Sequence, residues 1–416
     1  MRRSLQKDWM FFRFALYGFL KNLRFYDPFI LLIFRGSGLS FLEIGWLYTI
    51  RELTTNVFEL PTGVFADAFG RRKSMVMAFT FYIISFGIFY AFGGFYLYAV
   101  AMVCFAFGEA FRSGTHKALI LEHLKRNGME AQKVAYYGRT RAFSQLGSAL
   151  NALIAAALVF FSGQYRYMFL AAILPYALNL INLYTYPKAL DGALTKVQRG
   201  TLVRHVHATF RAFVAIFKEP YAMRAILNSA GFTSFFKATK DYLQPILQTF
   251  ALSLPFFVAF SDDKRTAIMV GVVFFLLYLT SSYSSRSAAA FARRFASVSQ
   301  ALNVTFLIGA GCLLVAGWAN WQNLSLLSIF VFLGLHVLHN LRRPMNVANI
   351  SDQIEHKVMA SGLSIESQTA TLLIALLAPV LGVLADQFGI SVALASLGVL
   401  MALLALFSRV KDRAEI

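Results

Sequence analysis

Gly63-Val-Phe-Ala-Asp67-Ala-Phe-Gly70-Arg71-Arg72-Lys73 is a short polar break between two long apolar runs. Gly63 and Gly70 permit a tight turn or a close helix approach, the Asp67 carboxylate suits the start of a helix, and three consecutive cations prefer the cytoplasmic side of a bilayer. A loop joining two membrane helices meets all of these needs together.

The composition around this break agrees. Hydrophobic residues make up 58% of the 416 and charged residues 14%, too few polar groups to cover an ordinary water-facing surface. An integral membrane protein is therefore expected, and 43 phenylalanines suit lipid-facing helix sides and aromatic packing. The start, Met1-Arg-Arg-Ser4, runs into a long span with no small-residue cleavage site, so the first helix is expected to stay uncleaved. Cys104 and Cys312 lie inside apolar runs and support neither a disulfide framework nor a metal site. The net charge of +19 gathers at the ends of apolar runs instead of along one face, the pattern of membrane orientation, so nucleic acid is not an expected partner.

Twelve spans can be placed, near 11–34, 42–66, 73–93, 96–121, 136–161, 166–187, 222–251, 266–288, 297–318, 323–349, 359–384 and 390–409. Alternate connections carry the cations, from Arg2 and Arg3 through Arg71 to Lys73, Lys125 and Arg126, Arg293 and Arg294, to Arg409 through Arg413. The positive side faces the cytoplasm, which puts both termini there in an inner membrane. Three domains follow: 1–187 and 221–416 as six-helix halves, and 188–220 as a cytoplasmic linker. In the linker, Leu202, Val206, Phe210, Phe213, Val214 and Phe217 recur at helical spacing, with Arg199, Arg204, Arg211 and Lys218 on other faces. This reads as an interfacial amphipathic helix, with a calmodulin-type target as the alternative.

The halves echo each other in the same chain direction. Lys21-Asn-Leu-Arg24-Phe-Tyr26 matches Lys237-Ala-Thr-Lys240-Asp-Tyr242, and Arg112-Ser-Gly-Thr-His-Lys-Ala118 matches Arg342-Arg-Pro-Met-Asn-Val-Ala348. Gly382-Val-Leu-Ala-Asp386-Gln-Phe-Gly389 repeats the first part of the opening segment without its cations.

That opening segment resembles the loop between the second and third spans of major facilitator superfamily transporters, whose pattern runs roughly G-x-L-A-D-R-x-G-R-[RK]-[RK]. It departs at Phe65, where the pattern has leucine, and at Ala68, where it has the first basic residue. The resemblance implies an all-α integral membrane protein of the bacterial type, with twelve transmembrane helices in two parallel six-helix pseudo-repeats about a midplane site. It further implies alternating access, with Gly63, Asp67, Gly70, Arg71 and Arg72 forming a conformational loop that stabilises the outward-facing closure.

Ionisable residues within spans are costly and face an interior or a wet cavity. Lys21 and Arg24 stand at i and i+3 on the first span, as Lys237 and Lys240 do on the seventh, and the resemblance places both spans at the central cavity. With Tyr26 and Tyr242 they form a candidate site for an anionic solute, similar to the basic pair of organophosphate antiporters of the superfamily. The other reading has Lys21 and Lys237 reaching for an interface, or Arg24 paired with Asp27 and Lys240 with a carboxylate elsewhere. Glu52 and Glu59 on the second span, and Glu109, Arg112 and His116 along one stripe of the fourth, are candidates for proton coupling. Arg112-Ser-Gly114 resembles the R-x-G core of proton-linked members, and an ion-pair network that locks one conformation is the equal alternative. On the fifth span, Gly147-Ser-Ala-Leu-Asn151 replaces the glycine-proline motif of drug/proton antiporters.

His336 and His339 have no third ligand at metal spacing, and Glu366 and Gln368 are the clear polar groups of the eleventh span. Neither a phosphate loop, a nucleophile elbow nor a zinc motif occurs, so no enzyme, cofactor or metal is expected. The expected function is a monomeric secondary transporter of a small anion bearing carboxylate or phosphate, with protons as a second possible partner. The alternatives are a proton-coupled exporter of amphipathic or cationic compounds and a transporter-like receptor.

Overall fold

In hydrocarbon every backbone amide needs an internal partner, which leaves these apolar segments the helix as their structure. A computed structural model describes residues 8–192, 194, 211, 219–256, 258–353 and 359–411, and all the regular elements among them are helical. They are α1 (Trp9–Lys21), α2 (Ile30–Gly36), α3 (Phe41–Phe69), α4 (Arg71–Ala91), α5 (Phe95–Arg112), α6 (Thr115–Arg126), α7 (Lys133–Ser162) and α8 (Tyr167–Tyr184). After the linker come α9 (Pro220–Thr239), α10 (Leu243–Ser253), α11 (Asp262–Ala292), α12 (Val298–Trp321), α13 (Ser325–Gln353) and α14 (Met359–Phe407). The proposed amphipathic helix of the linker lies outside the described residues.

Among the described residues, eight helical stretches are long and apolar enough to cross a membrane. The last, Ser364–Phe407, holds two passes, because Gly389 takes a non-helical φ of 84° inside it. The remaining passes are α3, which carries Arg51, Glu52 and Glu59, and the first and seventh spans, which are broken. The twelve expected passes are therefore present, three of them as paired helices.

The breaks correct the picture of continuous spans. α1 stops at Lys21, where the Asn22 amide donates to the Phe19 carbonyl at 3.1 Å and its side chain to Gly18 O at 2.6 Å. Arg24 thus lies beyond the helix end, and the i, i+3 face drawn for Lys21 and Arg24 does not exist. The echo is broken too: α9 ends at Thr239, and a single 3-10 turn, Lys240–Tyr242, leads into α10. The fourth span is interrupted at Ser113 and Gly114, whose φ of 67° is open to glycine, so the stripe through Glu109, Arg112 and His116 is also cut.

The opening segment is corrected as well. α3 continues through Asp67 to Phe69, because nothing between Gly63 and Gly70 takes a positive φ; Gly70, at 105°, makes the turn alone. The start of α4 is capped by Asp191, whose carboxylate accepts from the Arg72 amide at 2.7 Å, and a Cβ at Gly70 would stand 2.7 Å from its Cγ. The repeat of the segment does cap a helix: Asp386 accepts from the Phe41 and Leu42 amides, at 2.9 and 2.8 Å, at the first turn of α3. Beside it, side chains at Gly45 and Gly382 would meet the Ala378 and Phe41 carbonyl oxygens at 2.5 Å, so these two helices pack backbone against backbone.

The described chain forms two compact units. The first comprises residues 1–29 and 54–205, the second 30–53 and 206–416. In the first unit, Asp8 caps α1 by accepting from Phe11 N at 2.8 Å, and it also accepts from the Tyr136 hydroxyl at 2.8 Å and pairs with His123 Nε2 at 2.6 Å. Burial works against the Asp8 charge, but the bonds from Tyr136, Phe11 and His123 outweigh it and hold the carboxyl below its usual range. A depressed carboxylate stabilises above its unfolded pKa, and that stabilisation disappears as the pH falls through the folded value. Asp8→Asn keeps the cap but removes the charge, so it is expected to destabilise the protein by roughly 1–2 kcal/mol at neutral pH. In acid the difference from wild type should close; detergent-solubilised melting curves against pH measure it.

Candidate functional site

The first unit gathers its ionisable side chains where α1 and α5 end. Glu109 is shared: its Oε1 accepts from Arg24 Nη2 at 3.2 Å, and its Oε2 accepts from Arg112 Nη2. Arg112 Nε donates to the Tyr82 hydroxyl at 3.1 Å. Tyr82 and Tyr176 are fully buried, and the Tyr176 hydroxyl donates to the Lys21 carbonyl at 3.1 Å, tying the broken end of α1 to α8. His116 stacks on Tyr17, ring centroids 3.6 Å apart. Tyr26 is buried and stacked on Phe169 at 5.2 Å. The Lys21 ammonium makes no hydrogen bond or ion pair among the described residues, although Arg24, Arg112 and Glu109 all act on it electrostatically. Three cations thus surround one carboxylate, an arrangement that keeps positive charge in surplus.

The second unit repeats the placement with other partners. Lys240 Nζ pairs with Asp241 Oδ1 at 2.7 Å, and Asp241 Oδ2 accepts from the Tyr48 hydroxyl at 3.0 Å. Arg51 lies over the Tyr48 ring, 4.9 Å from its centroid, and pairs with Glu52 at 2.8 Å. Tyr242 is buried against Phe41, and the Leu31 amide donates to Gln244 at 2.8 Å. Lys237 is exposed, and its ammonium makes no hydrogen bond or ion pair among the described residues.

The sequence candidates therefore separate. Lys21, Arg24, Glu109, Arg112 and His116 come together in the first unit; Glu52 goes to Arg51 in the second, and Glu59 accepts from Ser113 Oγ at 2.5 Å in the first. Arg112 and its echo Arg342 have diverged: Arg342 is fully buried, with the Leu302 carbonyl, Thr305 Oγ1 at 2.6 Å and Asn228 Oδ1 at 2.6 Å, between the rings of Phe232 and Phe306. That neutral cage marks a structural node. His336 bonds the Phe332 carbonyl at 2.9 Å and His339 stacks on Phe236 at 4.0 Å, and no three metal-ligating side chains cluster among the described residues.

Tyr17, Tyr48, Tyr82, Tyr176, Asp241 and Ser229 escaped the sequence reading. Asp241 had a signal, because it directly follows Lys240 in the echo; the tyrosines are polar only at one atom and look like any apolar residue of a span.

The Major Facilitator Superfamily profile matches residues 10–365. The chain belongs to that superfamily. It is an integral membrane transporter and not an enzyme, and the departures at Phe65 and Ala68 leave that assignment intact. Among curated proteins it is 29% identical over 90 residues to the uncharacterized MFS-type transporter YxaM of Bacillus subtilis (strain 168). That match spans 22% of this chain and 23% of the relative's length. Among solved structures it is similar to the nucleoside transporter NupG (TM-score 0.74, 14% identity, 96% of this chain and 98% of the other). A D-xylose-proton symporter gives a TM-score of 0.70 at 15% identity, over 98% of both chains. A peptide transporter POT gives 0.72 at 12%, over 96% and 93%. At such identities these likenesses concern the fold alone.

Proposed function

We propose that the chain is a monomeric alternating-access carrier for a small anion bearing carboxylate or phosphate. The observation that carries this reading is the state of the echoed cations at the two helix breaks. Arg24 and Lys240 are each bound to a carboxylate, whereas Lys21 and Lys237 have no such partner among the described residues. An unpaired ammonium held away from water, as at Lys21, is costly, and an anionic solute offsets that cost; Lys237, which is exposed, adds its charge without it. Tyr26 and Tyr242 frame the two breaks as buried rings beside these cations.

Two of the three carboxylates that an exporter of cationic compounds would use are held by guanidinium groups, Glu109 by two and Glu52 by Arg51. The third, Glu59, bonds Ser113, and this occupancy favours the anion reading. With both termini in the cytoplasm of an inner membrane, the bonds from Phe41 and Leu42 to Asp386 lie at the outer end. The segment from Gly63 to Arg72, with its turn at Gly70, then acts at the cytoplasmic end, and residues 188–220 link the halves.

A thermal-shift panel tests the reading. Sulfate, succinate and a sugar phosphate should raise the melting temperature of purified protein, and quaternary ammonium compounds should not, since a ligand bound by the folded state alone stabilises it. Counterflow in liposomes then separates a carrier, which exchanges the bound anion, from a receptor, which does not. Stabilisation by the cations alone would reverse the assignment.

A further inference from the structure

Glu366 on α14 stands apart from the other carboxylates within the spans. Its Oε1 accepts from Ser229 Oγ of α9 at 2.7 Å, Ser229 is buried, and no cation lies within ion-pair distance of Glu366 among the described residues. Glu109, Glu52 and Asp241 are all fastened to cations. Glu59 also bonds a serine, but that pair is exposed.

Among the described residues, the charged surroundings of Glu366 are few enough to name. From α9 it faces Ser229 and Lys237, and from α13 Arg343, both cations acting on it from beyond contact. His339 of α13 faces the same Lys237 and Arg343 and also His336 and Arg342; the two histidines are the other titratable side chains here among the described residues. α12, packed along α14, carries no ionisable residue except Cys312.

We propose that Glu366 is the proton site of the transport cycle, and that its protonation releases Lys237 to bind the anion. The proton enters as the Glu366 O–H, and the Ser229 hydroxyl turns from donor to acceptor, so the hydrogen bond survives in both states. While Glu366 is ionised its negative charge competes with a solute anion for the field of Lys237 and Arg343; once it is neutral that competition ends. Proton and anion binding then favour each other by the same factor, as linkage requires, and proton–anion symport follows. The inference rests on the anion reading for its second half and on the Glu366–Ser229 geometry for its first.

Sulfate keeps its two charges from mildly acidic to alkaline buffer, so any pH dependence of its binding belongs to the protein. For wild type its affinity should fall on the order of 5- to 150-fold toward alkaline pH. Glu366→Gln should bind at all pH values as wild type does in acid, and His339→Gln should keep the wild-type dependence. If Glu366→Gln retained the pH dependence, or His339→Gln lost it, the proposal would be overturned. Infrared difference spectra on acidification provide a readout that needs no anion. A protonated-carboxyl C=O band present in wild type and missing in Glu366→Gln supports the proton site even where sulfate fails to bind, a failure that would count against the anion reading alone. A band unchanged by the substitution ends the proposal. Ser229→Ala, which keeps the carboxylate, should shift the pH midpoint of the band, and serves if Glu366→Gln does not fold.

Discussion

Glu109→Gln is expected to lower the stability of the folded protein by on the order of 3 kcal/mol, since removing one member of a buried ion pair strands its partners. Here two guanidinium groups are stranded at once, those of Arg24 and Arg112, each with about a quarter of its side chain exposed (24% and 23%). Glutamine keeps the shape and one acceptor, so the loss reports charge and not packing. The damage should spread beyond the ion pair, because Arg112 also holds the Tyr82 hydroxyl and Glu109 bridges the end of α5 to the break after α1. Unfolding in detergent, followed by circular dichroism, measures the effect. A double-mutant cycle with Arg24→Gln should return a coupling energy of 0.5–3 kcal/mol, roughly the span found for residues in direct contact. A change within about 0.5 kcal/mol, the size of an ordinary surface substitution, would show that the three-residue knot contributes little.

The second large effect concerns transport without stability. Lys21→Gln combined with Lys237→Gln removes the two cations of the echoed set that have no ion-pair partner among the described residues, so no ion pair is broken. The melting temperature should stay close to wild type, and Lys21→Gln removes a charge from a costly environment. Transport of the anion should collapse. A hydrogen bond to a charged group contributes roughly 1.5–3 kcal/mol, so each lysine is expected to account for about a 10- to 150-fold loss of affinity. The matching pair Arg24→Gln and Lys240→Gln is the contrast, since it should cost stability as well, by releasing Glu109 and Asp241. Counterflow in liposomes beside melting curves separates the two patterns. Equal uptake by wild type and the Lys21/Lys237 variant would discard the proposed role of these residues.

Much of this molecule was readable from its residues taken in order. Apolar runs of span length, cations at alternate ends and the Gly63 to Lys73 segment point to a membrane bundle of superfamily type, and the family match and the fold agree. The echo of Lys21 through Tyr26 in Lys237 through Tyr242 located the two sites where the chain later proves to be broken. The breaks themselves were not legible. A lysine and an arginine three residues apart look the same in sequence whether a helix runs through them or stops between them, and here it stops at Lys21.

The sequence determined what is local: which segments enter lipid, where glycine allows a turn, and which polar groups must be hidden. Hydropathy and backbone conformation act over a few residues, so a window of sequence contains their cause. The tertiary structure decided which charge meets which. Asp191 and not Asp67 caps α4, Asp386 caps α3 from the far end of the chain, and Glu109 draws in Arg24 across 85 positions. It also separated Arg112, bound to a carboxylate, from its echo Arg342, wrapped in neutral oxygens. Pairing energies depend on distance in space, and chain order carries no measure of that distance until the helices have packed.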